Sequence, residues 1–224
     1  MSRTALLAGA TGLVGGFVLD ALLNDPAYDR VSVIGRRDIG RRHPKLTVHI
    51  VDFGRLADHA EAIVGDDVFC ALGSTIRNAG TRRAFYGVDH DHVIAAAKYA
   101  SAGGARRMAI VSSVGASVAA RTFYLRTKGE MERDVAALGY AQVDIFRPGL
   151  LLGPRTEFRP AERLGTLLAP VIGPLMLGGL SRYRGIPAAT VATAMVAALR
   201  RDRPGTHIHE NRAIAALAGT PGGA

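Results

Sequence analysis

The strongest constraint on how this chain folds is a glycine-rich run near its start, Thr4-Ala-Leu-Leu-Ala-Gly9-Ala-Thr-Gly12-Leu-Val-Gly15-Gly16. A short apolar strand enters a turn whose glycines recur every third residue, and an apolar helix leaves it. That order suits an anion seated on a helix N-terminus. Gly9 permits the tight turn, Gly12 lets backbone N–H groups come close to a phosphate, and Gly15 lets the helix pack against the strand. The dinucleotide contacts expected from this turn are Gly9, Thr11, Gly12, Leu13, Val14 and Gly15. A glycine triplet alone is a weak signal, because such turns are common. Its weight comes from the strand and helix that flank it and from a second motif far downstream, Tyr124-Leu-Arg-Thr-Lys128.

Hydrophobic runs and helical patterns alternate along the first 150 residues, the mark of a parallel sheet with crossover helices. Strands are predicted at Ala5–Ala8, Val31–Gly35, Leu46–Val51, Val68–Ala71, Arg107–Ser112 and Gln142–Phe146. Helices are predicted near Leu13–Asn24, Arg55–Ile63, Val88–Ala100 and Leu125–Leu138, with Pro26, Gly103-Gly104 and Gly139 stopping three of them. The fold class implied is α/β, a Rossmann-type doubly wound parallel sheet. After Gly149, Pro and Gly break the chain into short pieces until a helix at Ala188–Arg201. The expected organisation is a single domain, with a dinucleotide-binding core over 1–150. Residues 151–224 form a small substrate-side C-terminal lobe that is not independent.

Composition narrows the class of partner. The net charge of +9 rests on arginines scattered along the chain, with lysines only at 45, 98 and 128. No aromatic platform interleaves with them, so specific nucleic-acid binding is not expected. No uninterrupted apolar run reaches membrane-spanning length, and neither a leader nor integral membrane association is expected. The single cysteine, Cys70, rules out an internal disulfide framework. It is read as a buried structural thiol, and the expected location is a reducing cytoplasm. The apolar stretch 164–180 is read as core or pocket wall. A homodimer is compatible with the sequence but not specified by it.

Cofactor choice is set at the end of the second strand. A carboxylate there bonds a ribose 2′-hydroxyl, whereas arginine accommodates a 2′-phosphate. Here the strand ends in Arg36-Arg37, so NADP (as NADPH) is expected over NAD. Asp52 and Phe53, after the third strand, are placed beside the adenine on topology alone. Leu72 and Gly73, leaving the fourth strand, either run along the cofactor or form a plain loop exit. Tyr124 and Lys128, four apart on one helix, share a face. A lysine ammonium beside a phenol favours the phenolate, which suits acid–base work on an alcohol–carbonyl pair. A serine at the preceding strand end, Ser112 or Ser113, is placed to bond the same substrate oxygen.

Gly9-Ala-Thr-Gly12-Leu-Val-Gly15, Ser112-Ser113 and Tyr124-x-x-x-Lys128 resemble the short-chain dehydrogenase/reductase superfamily in its atypical or extended branch. The closer resemblance is to the branch of Tat-interacting, NADPH-binding oxidoreductase-like proteins and their bacterial relatives. It runs through Leu72-Gly73-Ser-Thr75, Val88-Asp-His-Asp-His-Val93, Phe146-Arg-Pro-Gly149 and Glu210-Asn-Arg-Ala-Ile214. The resemblance implies Tyr124 as proton donor and Lys128 bonded to the nicotinamide ribose while tuning Tyr124. Ser113, in preference to Ser112, would orient a small carbonyl substrate, and Pro148, Gly149 and Leu150 would pass the nicotinamide. It implies an NADP-dependent oxidoreductase, the alternative being an NADPH-binding regulatory or scaffolding protein with little turnover.

Two features depart from the superfamily. The tail is too short for the sugar-binding domain of its larger members, and Asp89 stands where many relatives carry Asn. The pairs His90/His92 and His207/His209 lack the converging ligands of a metal site, and none is expected.

Overall fold

The computed structural model describes residues 2–153 and 183–219, and the stretch 164–180 lies outside them. Six strands lie within the first 150 residues: β1 (Arg3–Ala8), β2 (Tyr28–Gly35), β3 (Leu46–Ile50), β4 (Asp67–Cys70), β5 (Arg107–Val111) and β6 (Gln142–Arg147). The helices among them are α1 (Leu13–Asn24), two short ones, α2 (Ile76–Ala79) and α3 (Arg82–Tyr86), then α4 (His92–Ala102) and α5 (Phe123–Ala136). A 3₁₀ segment (Phe53–Ala62) follows β3, and a turn of π-helix (Gly87–Asp91) joins α3 to α4. Beyond a small parallel pair, β7 (Leu151–Leu152) with β8 (Ile186–Pro187), come α6 (Ala188–Arg200), β9 (Gly205–Glu210) and α7 (Asn211–Gly219).

The main sheet is fully parallel, with the order β3-β2-β1-β4-β5-β6-β9. Strand alternation sends side chains to two separate cores. Ala5 and Leu7 of β1, Val31 and Val33 of β2, and Phe69 of β4 face α1, α6 and α7. Leu6 and Ala8, Ile34, Val68 and Cys70 face the opposite layer, where α4 and α5 contribute Val93, Ala96, Ala97, Met131 and Val135. Both faces are therefore covered, as parallel sheets require, and the α/β doubly wound architecture is the one expected.

The seventh strand, β9, is absent from the sequence expectation, and its side chains explain why. In Gly-Thr-His-Ile-His-Glu the aliphatic Ile208 is half exposed, while His209 is buried and meets Asp144 of β6 at 2.6 Å. The hydrophobic alternation is thus replaced by a polar pair inside the sheet. The described part of the tail joins the main sheet through β9 and packs α6 against α1.

The N-terminal ends of four neighbouring strands are clasped by one carboxylate. Asp67, wholly buried at the start of β4, accepts the Tyr28 hydroxyl at 2.7 Å and Arg107 Nε at 2.5 Å. Arg3 Nη1 stands 3.5 Å away and donates to the Leu199 carbonyl at 2.9 Å. Burial pushes the Asp67 carboxyl above its ordinary range, against the pull of Tyr28 and the two arginines. Removing one partner of such a cluster leaves the others buried and unpaired. The Asp67→Ala protein should therefore be less stable by about 3 kcal/mol in urea unfolding. This clasp lies at the sheet edge opposite the glycine turn, so the variant that remains folded should keep its ligand affinity.

Candidate functional site

The glycine turn, the arginine pair and the other strand-end residues singled out by sequence lie at the other edge, beyond the C-terminal ends of the strands. Gly9 follows β1, Arg36 follows β2, Leu72 follows β4, Ser112 follows β5 and Pro148 follows β6. Open α/β sheets bind ligands there, where the winding reverses between adjacent strands. In this sheet that place is between β1 and β4.

The turn between β1 and α1 has no room for side chains. Gly9 has φ +92°, and a Cβ there would stand 2.6 Å from the Ala71 backbone at the exit of β4. A Cβ on Gly15 would stand 2.0 Å from the Gly9 carbonyl oxygen. The Gly12 N–H donates to that same oxygen at 3.0 Å, which closes the turn. Gly12 caps α1 without any side-chain acceptor, and the first helical turn, containing Leu13 and Val14, holds no acidic residue. A bare, positively polarised helix end results, with exposed Thr11 at its rim.

At the end of β2, Arg36 and Arg37 are exposed and neither pairs with a carboxylate among the described residues. Asp38, the nearest acid in sequence, is occupied: it accepts the Gly40 N–H at 3.1 Å and pairs with Arg42 at 3.3 Å. Asp52 caps the 3₁₀ segment by accepting the Gly54 N–H at 2.9 Å. Phe53 is buried and stacks on the His92 ring at 5.4 Å. Burial holds the His92 imidazole below its usual pKa, and the nearby Arg36 acts in the same sense while Asp91 and Asp52 oppose it. The structure thus gathers Arg36, Asp52 and Phe53 at one corner and adds His92, which sequence singles out only as half of a metal-type pair.

Tyr124 and Lys128 lie on α5, whose N-terminus is capped by Thr122. Tyr124 is half-buried, its ring 5.6 Å from that of Phe85. Lys128 is buried, and its Nζ stands 2.8 Å from Asp89 Oδ1. Asp89 is wholly buried in the π-helical turn, and its other oxygen accepts the Ser74 N–H at 2.7 Å. Gly73 lies over the pair: a Cβ there would rest 3.4 Å from Asp89 Oδ1 and 3.6 Å from Lys128 Nζ. Burial by itself would lower the lysine pKa, but the carboxylate and the neighbouring Tyr124 outweigh it and hold the ammonium above its ordinary value. Cys70 is buried with its thiol pushed up to about 11 by burial, which marks it as structural.

The two serines differ. Ser112 continues the β5–β6 ladder, its N–H donating to the Phe146 carbonyl at 2.7 Å, and its hydroxyl is buried without a partner among the described residues. Ser113 is partly exposed, with only a long contact of 3.5 Å to the Val114 carbonyl. After β6 the chain runs beside the serines: the Pro148 carbonyl accepts the Val114 N–H at 3.1 Å, and the Leu150 carbonyl accepts the Ile186 N–H at 2.8 Å. Asn211 fixes this stretch: its Oδ1 accepts the Gly149 N–H at 2.9 Å, and its Nδ2 donates to the Arg184 carbonyl at 2.8 Å. Asn211 is absent from the site residues expected from sequence, although its stretch belongs to the resemblance.

Gly129 is absent from them too. A Cβ on it would stand 2.2 Å from the Ser117 carbonyl carbon and 2.5 Å from Val118 N. It lets the loop between the serines and Tyr124 lie directly on α5. The residues present fit a dinucleotide: a turn closed to side chains, a helix end free of acids and, among the described residues, an arginine pair without a carboxylate partner and a buried serine hydroxyl without a hydrogen bond.

Comparison with known proteins agrees. A family described as NAD(P)H-binding matches residues 9–202. Protein HTATIP2 of Rattus norvegicus is 35% identical over 218 residues, which are 95% of this chain and 88% of that protein. A protein named "fmp52, mitochondrial" of Aspergillus clavatus is 36% identical, over 91% of each chain. A UDP-glucose 4-epimerase structure from Thermotoga maritima, determined with UDP-glucose, has a TM-score of 0.69 at 13% identity, over 92% of this chain and 76% of that one. At that identity the likeness is one of fold. Other fungal relatives also carry the word mitochondrial in their names, which overturns the expected cytoplasmic location. The reason is physical: one buried thiol fits any reducing compartment and singles out none.

Replacing Gly129 by Ala should displace the 113–122 loop, lower stability by about 1–3 kcal/mol in thermal unfolding, and reduce the affinity for dinucleotide.

Proposed function

We propose, for a chain that belongs to the NAD(P)H-binding family, that it is an NADPH-dependent oxidoreductase of the short-chain type acting on a small carbonyl. The observation that carries this reading is the placement of Tyr124 and Lys128 on one helix, with Lys128 buried and its charge compensated, behind a glycine turn with no acid at its mouth.

Gly9, Thr11, Gly12, Leu13, Val14 and Gly15 would hold the pyrophosphate, and Arg36 and Arg37 the 2′-phosphate. Asp52 and Phe53 would flank the adenine, and Leu72 and Gly73 the second ribose. Pro148, Gly149 and Leu150 would pass the nicotinamide, with Asn211 holding that stretch in place. When bound, the cofactor supplies the hydride. The protein supplies orientation and a proton. Ser113 would orient the substrate oxygen, while the orphaned hydroxyl of Ser112 makes it the second candidate. Tyr124 would donate its phenolic proton to that oxygen as it gains charge, and the Lys128 ammonium stabilises the phenolate left behind.

A carbonyl screen that follows NADPH absorbance, with NADH in parallel, tests the reading. NADPH should be preferred by about tenfold or more, as charge-assisted contacts to one phosphate allow. A preference for NADH would refute the role given to Arg36 and Arg37. Tyr124→Phe should lower turnover by about a hundredfold or more while NADPH affinity changes by less than about twofold. Tight NADPH binding with no turnover on any carbonyl would instead favour a regulatory, NADPH-sensing protein.

A further inference from the structure

Lys128 has one charged neighbour that the proposed chemistry gives no task. Three groups face its ammonium: Asp89 from the π-helical turn, Tyr124 from its own helix and Cys70 from the end of β4. Cys70 is kept as a thiol by burial, and Tyr124 is already assigned the proton transfer. Asp89 is thus the one carboxylate among these groups that balances the lysine. Its hold is built from the backbone outward. The wide turn at Gly87–Asp91 carries it inward, and the Ser74 N–H fixes one oxygen, leaving the other 2.8 Å from Lys128 Nζ. Turns of π-helix recur where a helix must deliver a side chain to a functional place.

We infer that Asp89 is a positioning residue that acts through Lys128. Its ion pair holds the ammonium beside Gly73, at the exit of β4, where a ribose would lie. It also keeps the lysine protonated in a buried setting. This rests on the oxidoreductase reading above and on the nicotinamide-ribose contact that the resemblance implies for Lys128. An asparagine, the residue expected here from the superfamily, has a single acceptor oxygen, so it could keep only one of these two contacts, and it cannot balance a buried charge. The carboxylate therefore makes the charge of Lys128 a property of a pair rather than of one residue.

The test compares the full-length wild type with Asp89→Asn and Asp89→Glu. With three lysines in the chain, at 45, 98 and 128, each side-chain nitrogen can be followed by NMR as pH is raised without cofactor. In the wild type Lys128 should stay charged to high pH, and NADPH affinity should change little across the neutral range. In D89N, Lys128 should lose its proton in or near the neutral range, and NADPH affinity should fall about tenfold between about pH 6 and about pH 9. D89E should restore the wild-type profile in both measurements. A folded D89N whose Lys128 and NADPH affinity titrate as in the wild type would overturn the inference.

If D89N does not fold, the double variant D89N/K128M decides. Recovered folding supports a role through the lysine, and continued failure overturns it, because Asp89 would then serve only the Ser74 backbone. Failure of the oxidoreductase reading would register separately, as absent turnover in a wild type whose Lys128 still depends on Asp89.

Discussion

The structure depends on a contact that admits no side chain. The carbonyl oxygen of Gly9 sits where a Cβ on Gly15 would be, and the backbone leaving β4 sits where a Cβ on Gly9 would be. Three backbone segments, from β1, α1 and β4, converge at one point because hydrogen atoms stand where carbon would otherwise be. That convergence fixes the direction of α1, exposes its N-terminal N–H groups, and sets them beside the strands where the winding reverses. An open anion site is the result, since a capping side chain or an acid in the first turn would compete for the same donors.

Charge is placed at both edges of the sheet, and the two placements do different things. At the N-terminal edge, Asp67 joins Tyr28, Arg3 and Arg107 across the starts of four strands, a clasp within the fold. At the C-terminal edge, Asp89 and Lys128 form a buried pair between the π-helical turn and α5, beneath Gly73. A buried pair is a poor source of stability, because desolvation offsets most of its attraction. Its presence at the ligand edge is better understood through what it keeps charged. The arginine pair after β2 is left exposed and unengaged by the carboxylates described, and Asp38, the acid next to it in sequence, is spent on Gly40 and Arg42.

The parts of the fold that are legible in the sequence are those whose side chains repeat with the element's own period. β1, β2 and β5 read as strands and α1 as a helix because their apolar residues face two cores on either side of one sheet. β9 does not, because its buried position is a histidine bonded to Asp144 and its aliphatic residue faces outward. The short helices after β4 carry no buried face long enough to show a period. In the site, the motif residues are legible because backbone chemistry demands glycine there. The partners of those residues are not. Asp89 reaches Lys128 across 39 residues of sequence through a widened helical turn, and Asn211 reaches Gly149 across 62 residues. Gly129 looks like an ordinary helical glycine until the loop lying on it is seen. Location is illegible because a lone thiol speaks to redox potential and not to address.

The most direct measurement is an electron-density map of the protein crystallised with NADPH. The pyrophosphate should lie on the N–H groups beyond Gly12, and the 2′-phosphate between Arg36 and Arg37. A nicotinamide ribose hydroxyl should bond Lys128 while Asp89 keeps its contact with that lysine. A nicotinamide ribose lying away from Lys128, or a 2′-phosphate pointing into solvent, would contradict this placement of the cofactor.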